Sequence, residues 1–185
     1  MLGRRLANRA ILWLIGVFLS FATMASAAAD TTGLRDFIVR GVGTGVLADG
    51  ACDSPAIECA PEHTCECLTG AETILGRRGN KNAYNKGSLT FELSIDETSP
   101  PFPISTAGDC LPAGGFGTIM SKNGKDSLSI VISGFACPSV DGSAELFNGT
   151  YSVTTGTLST AGVGSITVSL VGSTSRAELN GNVQP

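Results

Sequence analysis

Apolar and polar residues alternate with a period of two in several segments of this chain. In one of them, serine and valine separate Leu128, Ile130 and Ile132. Such a period is typical of β-strands that bury one face and expose the other. The other inward-facing positions predicted in this way are Phe37 and Val39; Leu89, Phe91, Leu93 and Ile95; Phe147, Gly149, Tyr151 and Val153; Ile166, Val168 and Leu170; and Ala177, Leu179 and Val183.

Short segments rich in glycine, asparagine and aspartate separate these strands and favour turns. Asn123-Gly124 predicts a type I′ hairpin turn, because both residues tolerate a positive φ. A change of apolar phase from Ile132 to Phe135, across Gly134, predicts a β-bulge. About seven or eight strands, with no convincing helix after the leader, predict an all-β fold: a single antiparallel up-and-down β-barrel of about eight strands.

The first 27 residues have the pattern of a secretory signal peptide. Arg4, Arg5 and Arg9 form a positively charged start, an apolar run covers 11–21, and Ala25-Ser26-Ala27 offers small residues for cleavage. The apolar run has about eleven residues, whereas a span of the bilayer needs roughly twenty, so no stable membrane anchor is expected. We therefore expect a cleaved signal peptide at 1–27, one domain at 28–185, and a secreted or periplasmic location.

The domain after the leader is acidic. The chain carries 12 Lys and Arg against 16 Asp and Glu, a net charge of −4, and removal of the three leader arginines lowers the charge to −7. An acidic surface disfavours nucleic acids and anionic membranes as partners. The basic loop 76–87 is the exception. It predicts either a solvated loop tip or a site for an anionic ligand, with Tyr84 as a stacking face.

The even number of cysteines behind a signal peptide predicts disulfides in an oxidising compartment. Cys110 and Cys137 flank the predicted hairpin turn, so we expect them to pair. Cys65 and Cys67 are too close in sequence to join each other readily. Each should therefore pair with one of the two remaining cysteines, Cys52 and Cys59.

The segment 50–69, which holds these last four cysteines, is predicted to be a disulfide-stapled loop rather than a strand. An alternative is a metal centre, because His63 with Cys59, Cys65 and Cys67 could bind zinc or copper(I). The spacing matches no standard zinc pattern and the compartment is oxidising. Disulfides are therefore the preferred interpretation, and no cofactor is expected.

Residues for common hydrolytic chemistry are scarce. His63 is the only histidine, and no Gly-x-Ser-x-Gly nucleophile motif occurs. The carboxylates that could pair for acid–base work, such as Glu92 with Asp96, share the polar strand face and are interpreted as solvated. Glu145 is interpreted in the same way. No catalytic residue is assigned.

One stretch resembles a known family. It comprises Phe147-Asn148-Gly149-Thr150-Tyr151-Ser152-Val153, then Thr155-Gly156-Thr157, then Ala161-Gly162-Val163-Gly164-Ser165-Ile166-Thr167. This stretch resembles one in allene oxide cyclase-like and dirigent-like barrels, where a strand is followed by a glycine-rich turn and a second strand that begins with Gly-x-Gly. The segment 110–137 also resembles the preceding strand pair of bacterial secreted relatives.

The resemblance implies an antiparallel barrel of about eight strands, often trimeric, with an apolar cavity. Plant members of the family cyclise a fatty-acid epoxide or steer the coupling of phenoxy radicals. Leu158-Ser159 stands where the family has Arg-Phe. None of the family's catalytic residues can be matched to a position in this chain, so the resemblance implies the fold rather than the activity.

Three functions remain open. The first is a non-catalytic barrel that binds a small apolar ligand or serves as a structural or interaction module. The second is a cyclase-like or isomerase-like enzyme, which needs Glu92, Glu145 or Tyr151 inside the barrel, facing apolar neighbours. The third is a metal-handling protein built on His63 and the Cys-rich loop. The candidate cavity-lining residues, which suit a plain core equally well, are Leu89, Phe91, Leu93, Leu128, Ile130, Ile132 and Tyr151.

Overall fold

The computed structural model describes residues 33–50, 52–53, 62–75, 83–98, 102–105, 108–139 and 144–184. The expected signal peptide and Cys59 lie outside the described residues, as does most of the basic loop. No helix in the described ranges is both long and apolar enough to cross a membrane. The strands of the described residues are β1 (Arg35–Asp49), β2 (Cys65–Ile74), β3 (Ser88–Asp96), β4 (Phe102–Ser105), β5 (Gly108–Met120), β6 (Ser127–Pro138), β7 (Ala144–Gly156), β8 (Ala161–Val171) and β9 (Thr174–Gln184).

The strands form a closed antiparallel barrel in which consecutive strands pair, except that β3 pairs with β5 rather than with the short strand β4. The order is β3-β2-β1-β9-β8-β7-β6-β5-β4, and an additional pairing of β3 with β5 closes the ring. The short strand β4 pairs only with the start of β5, so eight strands make up the barrel. The first and last strands pair from Arg35 with Val183 to Thr44 with Thr174. The prediction of an up-and-down, all-β barrel is confirmed.

The interior is filled by the apolar positions that alternation predicts. Phe147, Ile166, Val168 and Leu179 are fully buried, and Val183 is 7% exposed. The seven candidate cavity-lining residues all belong to this core, and none is more than 2% exposed. They lie in the interior, where they pack as core side chains.

Large side chains inside the barrel lie across glycines of neighbouring strands. A Cβ built on Gly181 would stand 2.7 Å from the hydroxyl of Tyr151, and one on Gly164 would stand 2.7 Å from the Tyr151 ring. On the other side of the barrel, a Cβ at Gly70 would collide with the ring of Phe91. Because an eight-stranded barrel is just wide enough for side chains to fill it, large residues fit only where their neighbours are small.

Aromatic rings close the end of the barrel at which β1 begins. The Phe37 ring meets the Tyr84 ring edge-on with centroids 6.0 Å apart, and meets the Tyr151 ring at 6.3 Å. Tyr84 is 3% exposed. The interpretation of Tyr84 as a stacking face for an anionic ligand is therefore wrong, because its ring packs into the core instead.

Strand β2 corrects the prediction for the segment 50–69. The end of the segment 50–69 is not a loop, because β2 begins at Cys65. From Glu66, which lies opposite Asp49, β2 pairs with β1. The cysteines and the glutamate in this part of β2 hide the apolar alternation that identifies a strand. The inward face becomes apolar only at Leu68.

The β5–β6 hairpin forms where Asn123-Gly124 predicts it, but the turn is not type I′. Gly124 has a φ of 69°, while Lys86 is the only described non-glycine residue with positive φ. The Asn123 side-chain oxygen accepts hydrogen bonds from the Ser121 hydroxyl at 2.8 Å and the Lys125 amide at 3.0 Å. Asparagine thus supports the loop through its side chain rather than through a left-handed backbone.

The bulge predicted at Gly134 is also wrong. Gly134 pairs regularly with Gly149, and Phe135 with Asn148, so Phe135 lies on the outer face. The inward face continues from Ile132 through Gly134 to Ala136. Gly134 and Ala136 are small, and they conceal the alternation of apolar and polar residues. The irregularity of this strand pair lies instead between Ser129 and Ile130.

Disulfides staple neighbouring strands at the opposite end of the barrel. Cys110 on β5 is bonded to Cys137 on β6, which confirms the predicted pair. Cys52, just beyond β1, is bonded to Cys67 on β2, in agreement with the expectation for Cys52. Cys65 is also disulfide-bonded. Intramolecular disulfides of this kind are consistent with an oxidising, extracytoplasmic environment.

Replacing both Cys110 and Cys137 by alanine tests the contribution of the β5–β6 staple. We expect the free energy of unfolding to fall by about 2–4 kcal/mol, because the bond restricts the unfolded chain across 27 residues. Denaturant unfolding under non-reducing conditions measures the change. Circular dichroism should show an unchanged strand content, and an unaltered unfolding free energy would contradict the expectation.

Candidate functional site

A buried carboxylate, Glu72 on β2, crosses the seam at which the first strand, β1, pairs with the last strand, β9. Glu72 is 3% exposed and shares the inward face with Leu68 and Ile74. The Ser175 hydroxyl donates a hydrogen bond of 2.6 Å to one carboxylate oxygen, and the Ala177 amide donates one of 3.1 Å to the other. Both donors belong to β9, so the side chain reaches over β1 to the strand beyond it.

Gly41 on β1 makes this crossing possible. A Cβ at that position would overlap a carboxylate oxygen of Glu72. Burial raises the pKa of Glu72 above its usual range, and the hydrogen bonds from Ser175 and Ala177 act in the opposite direction. Because both carboxylate oxygens accept hydrogen bonds, Glu72 is best explained as a brace between β2 and β9.

Four carboxylates gather at the disulfide-stapled end of the barrel, which we call the acidic mouth. They are Asp49, Glu66, Glu97 and Glu145. Asp49 lies directly opposite Glu66 in the β1–β2 ladder. Burial raises the pKa of Glu66, and the charges of Glu97 and Asp49 raise it further.

Glu145, at the start of β7, shares the inward-facing phase of Phe147. Burial, followed by the charge of Glu66, raises the pKa of Glu145 to about 7. Glu145 is therefore a partly buried group at the surface rather than a fully solvated one. The acidic mouth does not form a metal centre of its own, since no group of three or more potential ligands occurs among the described residues.

Tyr151 supplies a second polar group in the interior. Its hydroxyl is buried and has no hydrogen-bond partner, a feature shared only with the Ser94 hydroxyl in the described part of the chain. Burial raises the pKa of Tyr151 to about 12. Of the three residues that the enzyme hypothesis requires inside the barrel, Tyr151 lies in the core and Glu145 at the mouth. Glu92 lies on the outer face.

The described residues that the metal hypothesis names as ligands have other partners in the structure. Cys67 and Cys65 are disulfide-bonded, and a disulfide sulfur is not the thiolate that binds zinc or copper(I). His63 Nδ1 lies 3.1 Å from a carboxylate oxygen of Asp96. Asp96 is 6% exposed and also accepts a hydrogen bond from the Thr98 amide, so its interpretation as a solvated group is wrong.

A groove of about 410 Å³ runs across the outer faces of β1, β2, β3 and β5. We call it the threonine groove, because each of the four strands contributes one threonine. These are Thr44, Thr69, Thr90 and Thr118. Glu92 and Phe116 are adjacent in the β3–β5 register and complete its lining. The Phe116 side chain is 42% exposed.

The polar groups of the threonine groove have no partners among the described residues. Neither the four threonine hydroxyls nor the Glu92 carboxylate has a hydrogen bond or ion pair with any residue that the structure describes. The groove therefore presents hydrogen-bond donors and acceptors beside an exposed aromatic ring. No lysine, arginine or histidine is among the residues that line it.

A second outer groove of about 310 Å³ lies across β1, β9, β8 and β7. Arg40 and Glu178 form an ion pair of 2.7 Å at its edge, and Val42, Leu75 and Leu146 give it an apolar surface. The charged groups of this groove are therefore partly paired with each other. The threonine groove offers the larger set of unpaired polar groups.

The sequence predicted the interior better than either surface site. The sequence does not identify Glu72, because alternation marks inward positions by apolar residues, although Glu72 follows Leu68 and Gly70 in the same phase. The threonine groove was missed because it depends on which strands are neighbours. Of its residues, only Glu92 was singled out, as a solvated group.

No protein-family model and no curated protein matches this chain in comparisons of sequence. The assignment of a site therefore depends on the geometry described above.

Glu72→Ala tests the brace across the seam. The substitution leaves the Ser175 hydroxyl and the Ala177 amide buried without an acceptor, so we expect the free energy of unfolding to fall by about 2–4 kcal/mol. Denaturant unfolding measures this loss. Thr73→Ala, on the exposed face of the same strand, is the matched control, and an equal effect of both substitutions would contradict a bracing role.

Glu145→Gln tests the acidic mouth through pH dependence. The pKa of Glu145 rises from 4.5 to about 7 on folding, so the folded chain holds this proton more tightly. The contribution of Glu145 to stability is then greatest below about pH 4.5 and is lost as the pH rises to about 7. Glu145→Gln should remove about 1–2 kcal/mol of that fall, after allowance for screening by solvent.

Unfolding free energies between pH 4 and 8, the range that brackets this titration, provide the measurement. Glu178→Gln, at an exposed ion pair on the outer face, is the control and should leave the pH dependence close to that of the unsubstituted chain. A slope in Glu145→Gln equal to that of the unsubstituted chain would show that Glu145 titrates normally.

Proposed function

We propose that this protein is exported by a signal peptide at 1–27 and acts outside the cytoplasm as a non-catalytic binding module. On this proposal the site is the threonine groove on the outer face, and the interior is a structural core. The protein belongs with the allene oxide cyclase-like and dirigent-like barrels in architecture, without their chemistry. The trimer that this resemblance implies stays a prediction, which native mass spectrometry of the secreted chain can test.

The observation that carries the proposal is the set of unpaired polar groups in the groove. Four threonine hydroxyls and the Glu92 carboxylate stand beside the Phe116 ring without partners among the described residues. Four hydrogen-bonded strands form the floor, so the groups are held at fixed spacing before any partner arrives. Preorganised groups lose little conformational entropy on binding, which favours affinity.

The packing of the interior supports an external site over an internal one. A small apolar ligand inside the barrel would have to displace side chains such as Leu93, Ile132 and Tyr151, which are at most 1% exposed. Removing them from their close-packed positions costs the burial energy that stabilises the fold. Both outer grooves, by contrast, are open without rearrangement.

The disulfide bonds and the negative net charge support the extracytoplasmic location. The disulfides Cys52–Cys67 and Cys110–Cys137 persist only where thiols are oxidised. The net charge of −7 expected after removal of the leader favours solubility over binding to anionic polymers. A secreted or periplasmic binding module combines these properties.

Retention of the secreted chain on the extracytoplasmic material of its own host tests the proposal. The probe is the washed fraction of cell envelope and secreted matrix. We expect Thr90→Arg to lower retention at least about tenfold, a loss of about 1.4 kcal/mol, because the arginine side chain fills the groove and pairs with Glu92. Ser152→Arg adds the same charge on the outer face of β7, away from the groove, and should be retained like the unsubstituted chain.

Two results would contradict the proposal. One is the absence of retention of the unsubstituted chain, and the other is equal retention of Thr90→Arg and the unsubstituted chain. Circular dichroism and the thermal midpoint of each variant establish that both substitutions leave the barrel folded.

A further inference from the structure

The register of the barrel arranges the threonine groove as two rows across four strands. Thr44, Ala71, Thr90 and Thr118 are successive cross-strand partners in one row. Val46, Thr69, Glu92 and Phe116 form the adjacent row in the same way. With strands about 4.8 Å apart, each row is about 14 Å long, which suits an extended ligand lying across the strands.

The hydroxyls of this groove differ from others on the outer face. The Thr154 hydroxyl donates to the Ser129 carbonyl at 3.2 Å, and the Ser165 hydroxyl donates to the Asn180 carbonyl at 3.3 Å. Those side chains are satisfied by their own sheet. The groove hydroxyls have no such bond to any residue that the structure describes, and they remain available to donate to, and accept from, a ligand.

The second row combines apolar and acidic character. Val46 is 59% exposed and Phe116 is 42% exposed, at the two ends of the row. The Glu92 carboxylate beside Phe116 accepts hydrogen bonds only. A ligand that fits must therefore present hydroxyl donors to Glu92 and an apolar face to the Phe116 ring.

These properties exclude two common classes of ligand. A phosphate, sulfate or uronate would meet a carboxylate with no lysine, arginine or histidine in the lining to offset it. A purely apolar ligand would cover the threonine hydroxyls without replacing their bonds to water, which is unfavourable. A neutral molecule with many hydroxyls and an apolar ring face satisfies both rows.

We propose that the threonine groove binds a neutral oligosaccharide, with one sugar ring stacked on Phe116 and the hydroxyls of the next hydrogen-bonded to Glu92 and the threonines. This inference rests on the proposed function, because it names the ligand class of the same groove. The proposed ligands are uncharged glycans, and the alternative that the experiments must exclude is a protein partner on this face.

Isothermal titration of the secreted chain with defined oligosaccharides provides the direct test. The panel contains neutral cello-, xylo-, manno- and N-acetylchito-oligosaccharides, and sulfated and uronic-acid oligomers of similar length. We expect at least one neutral member to bind and the anionic members not to bind. Phe116→Ala should weaken that binding by about fivefold, since stacking on an aromatic ring is worth about 1 kcal/mol.

The matched control is Val163→Ala, which removes an exposed apolar side chain from β8, outside the groove. Val163 is 64% exposed, and the substitution should leave the dissociation constant unchanged. Glu92→Gln keeps the shape of the side chain but replaces one acceptor oxygen by a donor, so it should also weaken binding. Binding that is unaffected by Phe116→Ala and Glu92→Gln, or a preference for anionic oligomers, would overturn the inference.

Treatment of the host material separates this inference from the proposed function. Periodate cleaves the vicinal diols of gluco-, xylo- and manno-oligosaccharides and spares N-acetylchito-oligosaccharide chains, so it should abolish retention through the first three classes. Protease should leave retention intact. If protease abolishes retention and Thr90→Arg still disrupts it, the groove binds a protein and the glycan inference is wrong while the proposed function stands. If Thr90→Arg has no effect and no oligosaccharide binds, both are wrong.

Discussion

The structure depends on filling a narrow closed barrel from within. Each large interior side chain needs a small neighbour, so Tyr151 lies across Gly164 and Gly181, and Phe91 lies across Gly70. Glu72 follows the same rule across Gly41, with hydrogen bonds to β9 in place of apolar contacts. Because the strands are fixed by these pairs, their outer faces are held in fixed register as well.

The different roles of the inner and outer faces of the barrel follow from this packing. The interior residues stabilise the barrel by burial and close contact, which leaves little freedom to admit a ligand. The outer faces carry many serine and threonine residues, which stay hydrated at little cost. On such a surface a distinctive site arises from the relative placement of ordinary residues, as Phe116, Glu92 and the four threonines illustrate.

Alternation was sufficient to predict the barrel, because strands such as 128–132 and 166–170 bury one face and hydrate the other. It failed for the start of β2, where cysteines and Glu66 occupy the strand, and at Gly134, where two small inward residues imitate a change of phase. The pair Cys110–Cys137 was predictable from the hairpin between them. The crossing of Glu72 and the threonine groove required knowledge of strand neighbours and register, which a period of two does not contain.

The pairing of β1 with β9 joins the two ends of the domain, and this has a consequence for folding. Arg35 and Val183 are partners across almost the whole domain, so the ring cannot close until the last strand is available. Pairing between residues so distant in sequence is slow, whereas adjacent hairpins form quickly. The Cys110–Cys137 bond joins such a hairpin and is available early, but the hydrogen bonds of Glu72 to β9 become available only at ring closure. Until the ring closes, two strand edges stay unpaired, and unpaired strand edges promote aggregation.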